Sequence, residues 1–321
     1  MHRWFCLFYF RVTDTVNWLT QFCQLHYTIS LTKIKYIFTL KGFSMKEQYI
    51  DLHVHSTSSD GTFSPTELVE YGLKKGLRAF ALTDHDTTSG IVEAQEAARG
   101  TNLTVILGIE LSTSWKNRDI HILGLNIEPE NAYFQDNLRD FQLEREHRNK
   151  KIIKKMQDMG LSISYDEMLK SFPDSVWTRA HFARYLLNTH QVHTIPEAFN
   201  RFLGDHAPCF VPREKVTPFQ AVQMIHQGGG KAVLAHPLLY HLTSGELDEL
   251  TAALSKSGLD GIEAIYSSNK GMDETNMRRL ASKYKLFITG GSDFHGSNKP
   301  SIDLGCGKGN LKIPSSLLKN L

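Results

Sequence analysis

The chain has 321 residues, 41% hydrophobic and 22% charged, an ordinary globular composition with enough apolar residues for a sizeable core. A formal charge of +2 argues against a protein that coats nucleic acid through bulk charge. Four cysteines (Cys6, Cys23, Cys209, Cys306) form no CxxC pair and are too few for a disulfide framework, so a cytoplasmic protein is expected.

Residues 1–44 differ from the rest. They are crowded with aromatics, among them Trp4, Phe5, Phe8, Tyr9, Phe10, Trp18 and Phe22. The apolar run Trp4 to Phe10 is shorter than the roughly 20 residues of a membrane span, and no small-residue cleavage site follows it. Two readings remain: a mis-assigned start with Met45 as the initiator, or a membrane-surface anchor. The first is preferred.

From Tyr49 the pattern is regular. A strand is predicted over Tyr49 to His55. A helix follows over Pro65 to Lys75, with Ser64 and Glu67 spaced as a capping box and Pro65 at the first helical position. Strand Ala79 to Thr83, helix Thr88 to Ala98 and strands Val105 to Leu111 and Ile120 to Leu125 come next. Alternating strands and helices imply parallel βαβ units. A long charged helix is expected from Phe134 to Met159, then helices at Val176 to Asn188 and Pro196 to Leu203. Residues 131–215 therefore read as a helical insertion between barrel segments 45–130 and 216–321. The second segment carries helices Pro218 to Gln227, Gly245 to Ser257 and Asp273 to Tyr284. Its strands are Lys231 to Ala235, Gly261 to Ile265 and Phe287 to Gly290.

Ionisable residues collect where these strands end. His53 and His55, two apart on a strand, share a face. Such a pair is more often incidental than metal-binding. Asp60 follows in a Ser-Asp-Gly turn, which is equally plain turn chemistry. Asp84, His85 and Asp86 come after a buried strand, at the edge where α/β folds place their sites. Glu110 closes an apolar run, and His121 alternates with Ile120 and Ile122. His236 precedes Pro237, which favours an extended conformation and so a strand end. Asp293 and His295 repeat the two-residue spacing. Each alone reads as a satisfied core or edge residue. Together they form an assembly too costly to bury without compensating cations, and their mixed imidazole and carboxylate donors suit zinc, manganese or iron.

These motifs, His53-x-His55, Asp60-Gly61, Thr83-Asp84-His85, Glu110, His121, His236-Pro237 and Asp293-x-His295, resemble the PHP (polymerase and histidinol phosphatase) family from about Tyr49 to Gly305. The resemblance implies an α/β fold, a distorted (β/α)7 barrel binding two or three divalent cations, manganese first and zinc or iron as alternatives. It implies His53, His55, Glu110 and Asp293 around one metal, and Asp60, His85 and His295 around a second. His121 and His236 serve a third, bridged by Glu110. Asp51, Asp84 and Asp86 would orient ligand imidazoles. Many relatives have histidine where Asp60 stands, and an aspartate there resembles the branch acting on small nucleotides or short RNA.

The insertion is similar to the covering subdomain of nucleoside 3′,5′-bisphosphate phosphatases and 5′-to-3′ exoribonucleases. The stretch Glu144 to Asn149 and the stretch Thr178 to Arg184 resemble their basic motifs, implying Arg145, Arg148, Asn149, Arg179 and His181 as substrate contacts. Phe202 to Pro208 resembles a third motif, which often has glycine or a basic residue at 205 and 206. The expected activity is hydrolysis of nucleotide phosphoesters, on nucleoside 3′,5′-bisphosphates or short 5′-phosphorylated RNA. No residue acts catalytically beyond a metal-bound water, and neither duplex DNA nor a membrane is an expected partner. The alternatives are a small-molecule phosphomonoesterase of histidinol-phosphatase type and an inactive metal-stabilised binding module. Oligomeric state stays open.

Overall fold

The computed structural model describes residues 48–212 and 216–321; the leader reading for residues 1–44 lies outside them. Among the described residues, seven strands form one sheet in chain order. They are β1 (Ile50–Val54), β2 (Ala79–Leu82), β3 (Thr104–Trp115), β4 (Arg118–Leu125), β5 (Lys231–Leu234), β6 (Gly261–Tyr266) and β7 (Phe287–Gly291). Helices α1 (Pro65–Lys75) and α2 (Ile91–Ala98) lie between the first three strands. Then come α3 (Ala132–Asp158), α4 (Tyr165–Ser171), α5 (Arg179–Asn188), α6 (Ile195–Ala198), α7 (Pro218–Gln227), α8 (Ser244–Lys256) and α9 (Asp273–Lys283).

The ends of the sheet approach each other. His55 N–H donates to Phe294 C=O at 3.0 Å, and Asp293 N–H donates to His53 C=O at 2.9 Å. The result is a nearly closed, distorted barrel, as expected from sequence. Glycine makes the closure possible: a Cβ at Gly291 would stand 2.2 Å from the His53 Cβ.

Not every neighbouring pair is parallel. β3 pairs antiparallel with β4, and β4 antiparallel with β5. The expectation of parallel units fails here because Lys116 and Asn117 form a two-residue turn, both with positive φ (49° and 62°). A turn that short joins only antiparallel strands. The polar run Ser112 to Ser114 hid the last third of β3 from a hydrophobic reading.

Alternation sorts the side chains. Ile50, Leu52, Ala79, Ala81, Ile106, Leu123, Leu125, Val233 and Ile265 form an apolar cluster without any α-helical residue, which marks the barrel interior. Phe80, Leu82, Ile109, Leu111, Ile120, Ile122 and Ile262 pack outward with α-helical residues such as Leu68, Ile91, Val222 and Leu250. Strand β1 is irregular between Asp51 and Val54, where three steps match two on β2. This bulge lets Leu52 and its neighbour His53 both face inward.

The segment from α3 to residue 211 has an apolar cluster of its own, built on Ile152, Met156, Trp177, Phe182, Leu186, Phe202 and Leu203. Helix α3 runs 27 residues and is capped by Asn131, whose side chain accepts from Phe134 N–H. Two details differ from expectation. Helix α4 was not foreseen, and Pro196 to Leu203 is a short α turn followed by a π-helical turn, Phe199–Leu203. Among the described residues no helix is long and apolar enough to cross a membrane.

Candidate metal centre

Nine side chains singled out in the sequence meet at one end of the barrel. Strand parity puts two of them there: Glu110 lies two steps past Gly108 and four past the interior Ile106, and His121 two before the interior Leu123. Because β4 is antiparallel, His121 comes from its amino-terminal half, not from a strand end. Glu110 likewise lies within β3.

Glu110 is the hub. Its carboxylate touches five imidazoles: His121 Nδ1 at 2.8 Å, His236 Nε2 at 2.9 Å, His55 Nε2 at 3.1 Å, and His53 Nε2 and His85 Nδ1 at 3.2 Å. Asp293 Oδ1 lies 3.4 Å from His55 Nε2 and 3.6 Å from His53 Nε2. Asp60 Oδ1 lies 3.1 Å from His295 Nε2.

Two sequence expectations about backbone need correction. His236 does not end a strand: β5 stops at Leu234, and His236 has φ 24° and ψ 59°. Its N–H donates to Glu263 Oε2 at 2.7 Å and its ring lies against Glu110, contacts that override the preference set by Pro237. Asp293 also has a positive φ, 58°, beyond the end of β7. Asp293 and His295 therefore do not repeat the strand geometry of His53 and His55.

The expected orienting roles of three aspartates also change. Asp51 accepts from the backbone N–H of Ser292 and of Gly305, so it fixes loops, not a ring. Asp84 accepts from Ser56 N–H and from the hydroxyls of Ser56 and Ser59. It reaches His55 through Ser59, whose Oγ is 3.4 Å from His55 Nδ1. Asp86 accepts from Ser112 N–H and pairs with the Arg145 guanidinium.

Sequence reading missed Glu263, which does hold an imidazole: Oε1 is 3.1 Å from His53 Nδ1. The available signal was a lone carboxylate inside the apolar strand Gly261–Tyr266. It also missed Lys299, whose Nζ is 2.6 Å from Asp293 Oδ2, and Tyr266, whose hydroxyl donates to the same oxygen at 2.6 Å.

Electrostatics follow from this crowding. Burial opposes charge on Glu110, but His85, His53 and His121 outweigh it and hold the carboxyl well below its usual range. Burial likewise opposes charge on Asp60, and His295 and His85 keep it well below. For His53, burial is outweighed by Glu110, Glu263 and Asp293, which hold it well above the ordinary histidine value. His85 and His295 are pushed down by burial.

The donors fit divalent cations. His53 Nε2, His55 Nε2, Asp60 Oδ1 and Glu110 Oε2 are buried and, among the described residues, lie close to one another or to other donors without making a well-aligned hydrogen bond. Among the described residues, three groups have ligand atoms within 4.8 Å of one another: His55 with Asp60, His85 and His295; His53 with His55 and Glu110; and His85 with Glu110 and His121. Imidazole and carboxylate donors at such spacing are a metal-binding chemistry.

A cavity of about 420 Å³ is lined by the donors Asp60, His85, His121 and His295 together with Arg145, Arg148 and Arg179. Asp119 stands among the arginines, 3.1 Å from Arg179 Nη2 and 3.9 Å from Arg148 Nη2. Arg179 also donates to Asp205 at 2.8 Å and to Leu203 C=O. Arg145 is fully engaged in protein contacts, with Asp86, Ser112 Oγ and Trp177 C=O. Asn149 donates to Trp177 C=O, and neither it nor His181 lines this cavity.

The PHP domain family matches residues 51–284. The chain belongs to the PHP family. It is 38% identical over 251 residues to a protein of Haemophilus influenzae named 5′-3′ exoribonuclease, covering 78% of this chain and 91% of the relative. It is 31% identical over 258 residues to the 3′,5′-nucleoside bisphosphate phosphatase of Chromobacterium violaceum, covering 80% and 90%. A solved structure from Chromobacterium violaceum, described as an amidohydrolase with bound sulfate and no metal, is similar to this PHP chain with a TM-score of 0.74 and 31% identity. That match covers 80% of this chain and 90% of the other.

Proposed function

We infer that this metal-dependent phosphoesterase hydrolyses nucleotides that carry a second phosphate, either nucleoside 3′,5′-bisphosphates or the 5′ end of short RNA. One observation carries the reading. A nucleotide-sized cavity is lined both by members of the donor cluster and by Arg148 and Arg179.

His53, His55, Glu110 and Asp293 would hold one cation, Asp60, His85 and His295 a second, and His121 and His236 a third beside Glu110. Manganese is the first choice for all three, with zinc or iron as alternatives, because these donors accept several metals. When bound, such cations supply Lewis-acid charge and an activated water at neutral pH. The protein supplies the rest. Glu263 and the Ser59–Asp84 pair fix the rings of His53 and His55. Arg148 and Arg179 grip the phosphate that is not cleaved, which places the scissile ester over the donors. Asp119 keeps both guanidinium groups directed at the cavity until substrate arrives. The helical segment 131–215 acts as the covering insertion.

The test is phosphate release from adenosine 3′,5′-bisphosphate with manganese, run beside AMP and a 5′-phosphorylated RNA. The reading requires turnover of the bisphosphate or the RNA with AMP spared. Turnover of simple monoesters alone would replace it with the small-phosphatase alternative.

A further inference from the structure

Residues 175–184, which carry the start of α5, are laced to residues 57–60. Ser175 Oγ donates to Thr57 C=O at 2.7 Å, and Val176 N–H donates to Ser58 C=O at 3.1 Å. The buried Thr178 hydroxyl donates to Asp60 Oδ2 at 2.7 Å. Asn298 donates to Asp60 C=O at 2.7 Å and accepts from Arg184 on the same helix. His181 adds a bond to the backbone of Ser59.

Thr178 has two roles at once. It is the N-cap of α5, accepting from Ala180 N–H at 3.1 Å, with His181 Nδ1 completing a capping box on Thr178 N–H. Its hydroxyl proton goes to Asp60, whose other oxygen faces His295. The next residue, Arg179, projects into the cavity. One hydroxyl therefore joins a donor carboxylate to the helix end that presents the phosphate-facing arginine.

We propose that Thr178 is a positioning residue that couples cation binding at Asp60, His85 and His295 to the ordering of the α5 amino terminus and Arg179. The inference rests on the metal-site reading above. The physical reason is reciprocal linkage. A cation that fixes Asp60 also fixes the acceptor of the Thr178 proton, and an ordered α5 in turn holds Asp60 ready for the cation. Thr178→Val removes the proton and the cap. Thr178→Ser keeps both. Thr178→Asp keeps a cap acceptor but has no proton to donate and repels Asp60.

The experiment titrates manganese(II) calorimetrically into the full-length, metal-free protein and follows amide hydrogen exchange of residues 175–184 with and without manganese. Wild type and Thr178→Ser should bind alike, and exchange in 175–184 should slow by about tenfold on metal addition. Thr178→Val and Thr178→Asp should bind about tenfold more weakly and lose that slowing. If the valine variant fails to fold, the aspartate variant decides. Wild-type affinity in the proton-deficient variants overturns the coupling, as does metal-insensitive exchange in wild type. No manganese binding by wild type overturns the metal site itself, a separate failure.

Discussion

The Glu263 carboxylate lies 3.1 Å from His53 Nδ1 and accepts from His236 N–H at 2.7 Å, so one buried side chain sets two of the donor histidines. Replacing Glu263 with glutamine keeps the shape and removes the charge that holds the His53 tautomer. Manganese affinity should fall about 10- to 100-fold while the fold survives. Calorimetry beside far-ultraviolet dichroism separates the two effects, and unchanged affinity would deny Glu263 this role.

Metal loading should stabilise the protein by mass action, because the donor set exists only when folded. At a free manganese concentration 100 times Kd the gain is about 2.7 kcal/mol, and a chelator should reverse it. Thermal melts across a manganese series test this. Glu110→Gln, which removes the charge at the hub of five imidazoles, should abolish the shift.

Arg179 and Arg145 are both expected from the sequence as substrate contacts, but they differ in what they touch. Arg179 lines the cavity with its partners Asp119 and Asp205 partly exposed. Arg179→Ala should raise KM for a bisphosphate nucleotide by about tenfold or more and leave simple monoester turnover unchanged. Equal losses on both substrates would sink the phosphate-grip role.

Arg145 is buried against Asp86 with both side chains nearly inaccessible. Arg145→Ala deprives that buried carboxylate of its guanidinium partner, which should cost about 3–5 kcal/mol of stability. Denaturant unfolding reads this directly, and a loss below about 1 kcal/mol would show the pair to be dispensable.

His181 gives a pH signature. Burial pushes its pKa down to about 4, against 6.5 for the unfolded chain. The unfolded state therefore takes up a proton first as pH falls, so stability drops between pH 6.5 and about 4 and is unaffected above that window. A His181→Asn variant should show a shallower loss over the same range. A parallel acid profile would exclude His181 as a contributor.

Much of this was legible in sequence for a specific reason. His53, His55, Glu110 and His121 stand out because they interrupt apolar alternation, and period-two geometry then fixes which face they share. The Ser64 capping box was readable because its signal is local, and both of its hydrogen bonds are present. Roles that depend on long-range partners were not. Glu263 acts on a residue 210 positions away, and Thr178 on one 118 away. Asp51, Asp84 and Asp86 were expected to orient imidazoles, but their partners are backbone amides, serines and an arginine. His236 defeated a sound local rule because two carboxylates outweigh the preference of a residue before proline.

The bulge in β1 has a consequence for how such a site tolerates insertion and deletion. Between Asp51 and Val54 the strand holds one residue more than its neighbour needs. Deleting that residue would leave the composition of the chain almost untouched, with every histidine still present. Removing Leu52 would restore strict alternation, with Ile50 in, Asp51 out and His53 in, so both imidazoles would keep their face while the barrel interior lost one apolar side chain. The bulge therefore serves the packing beneath the histidine pair more than the pair itself. A homologous chain that keeps His-x-His but lacks the extra residue can still present both imidazoles to the barrel interior and lacks only the apolar side chain beside them.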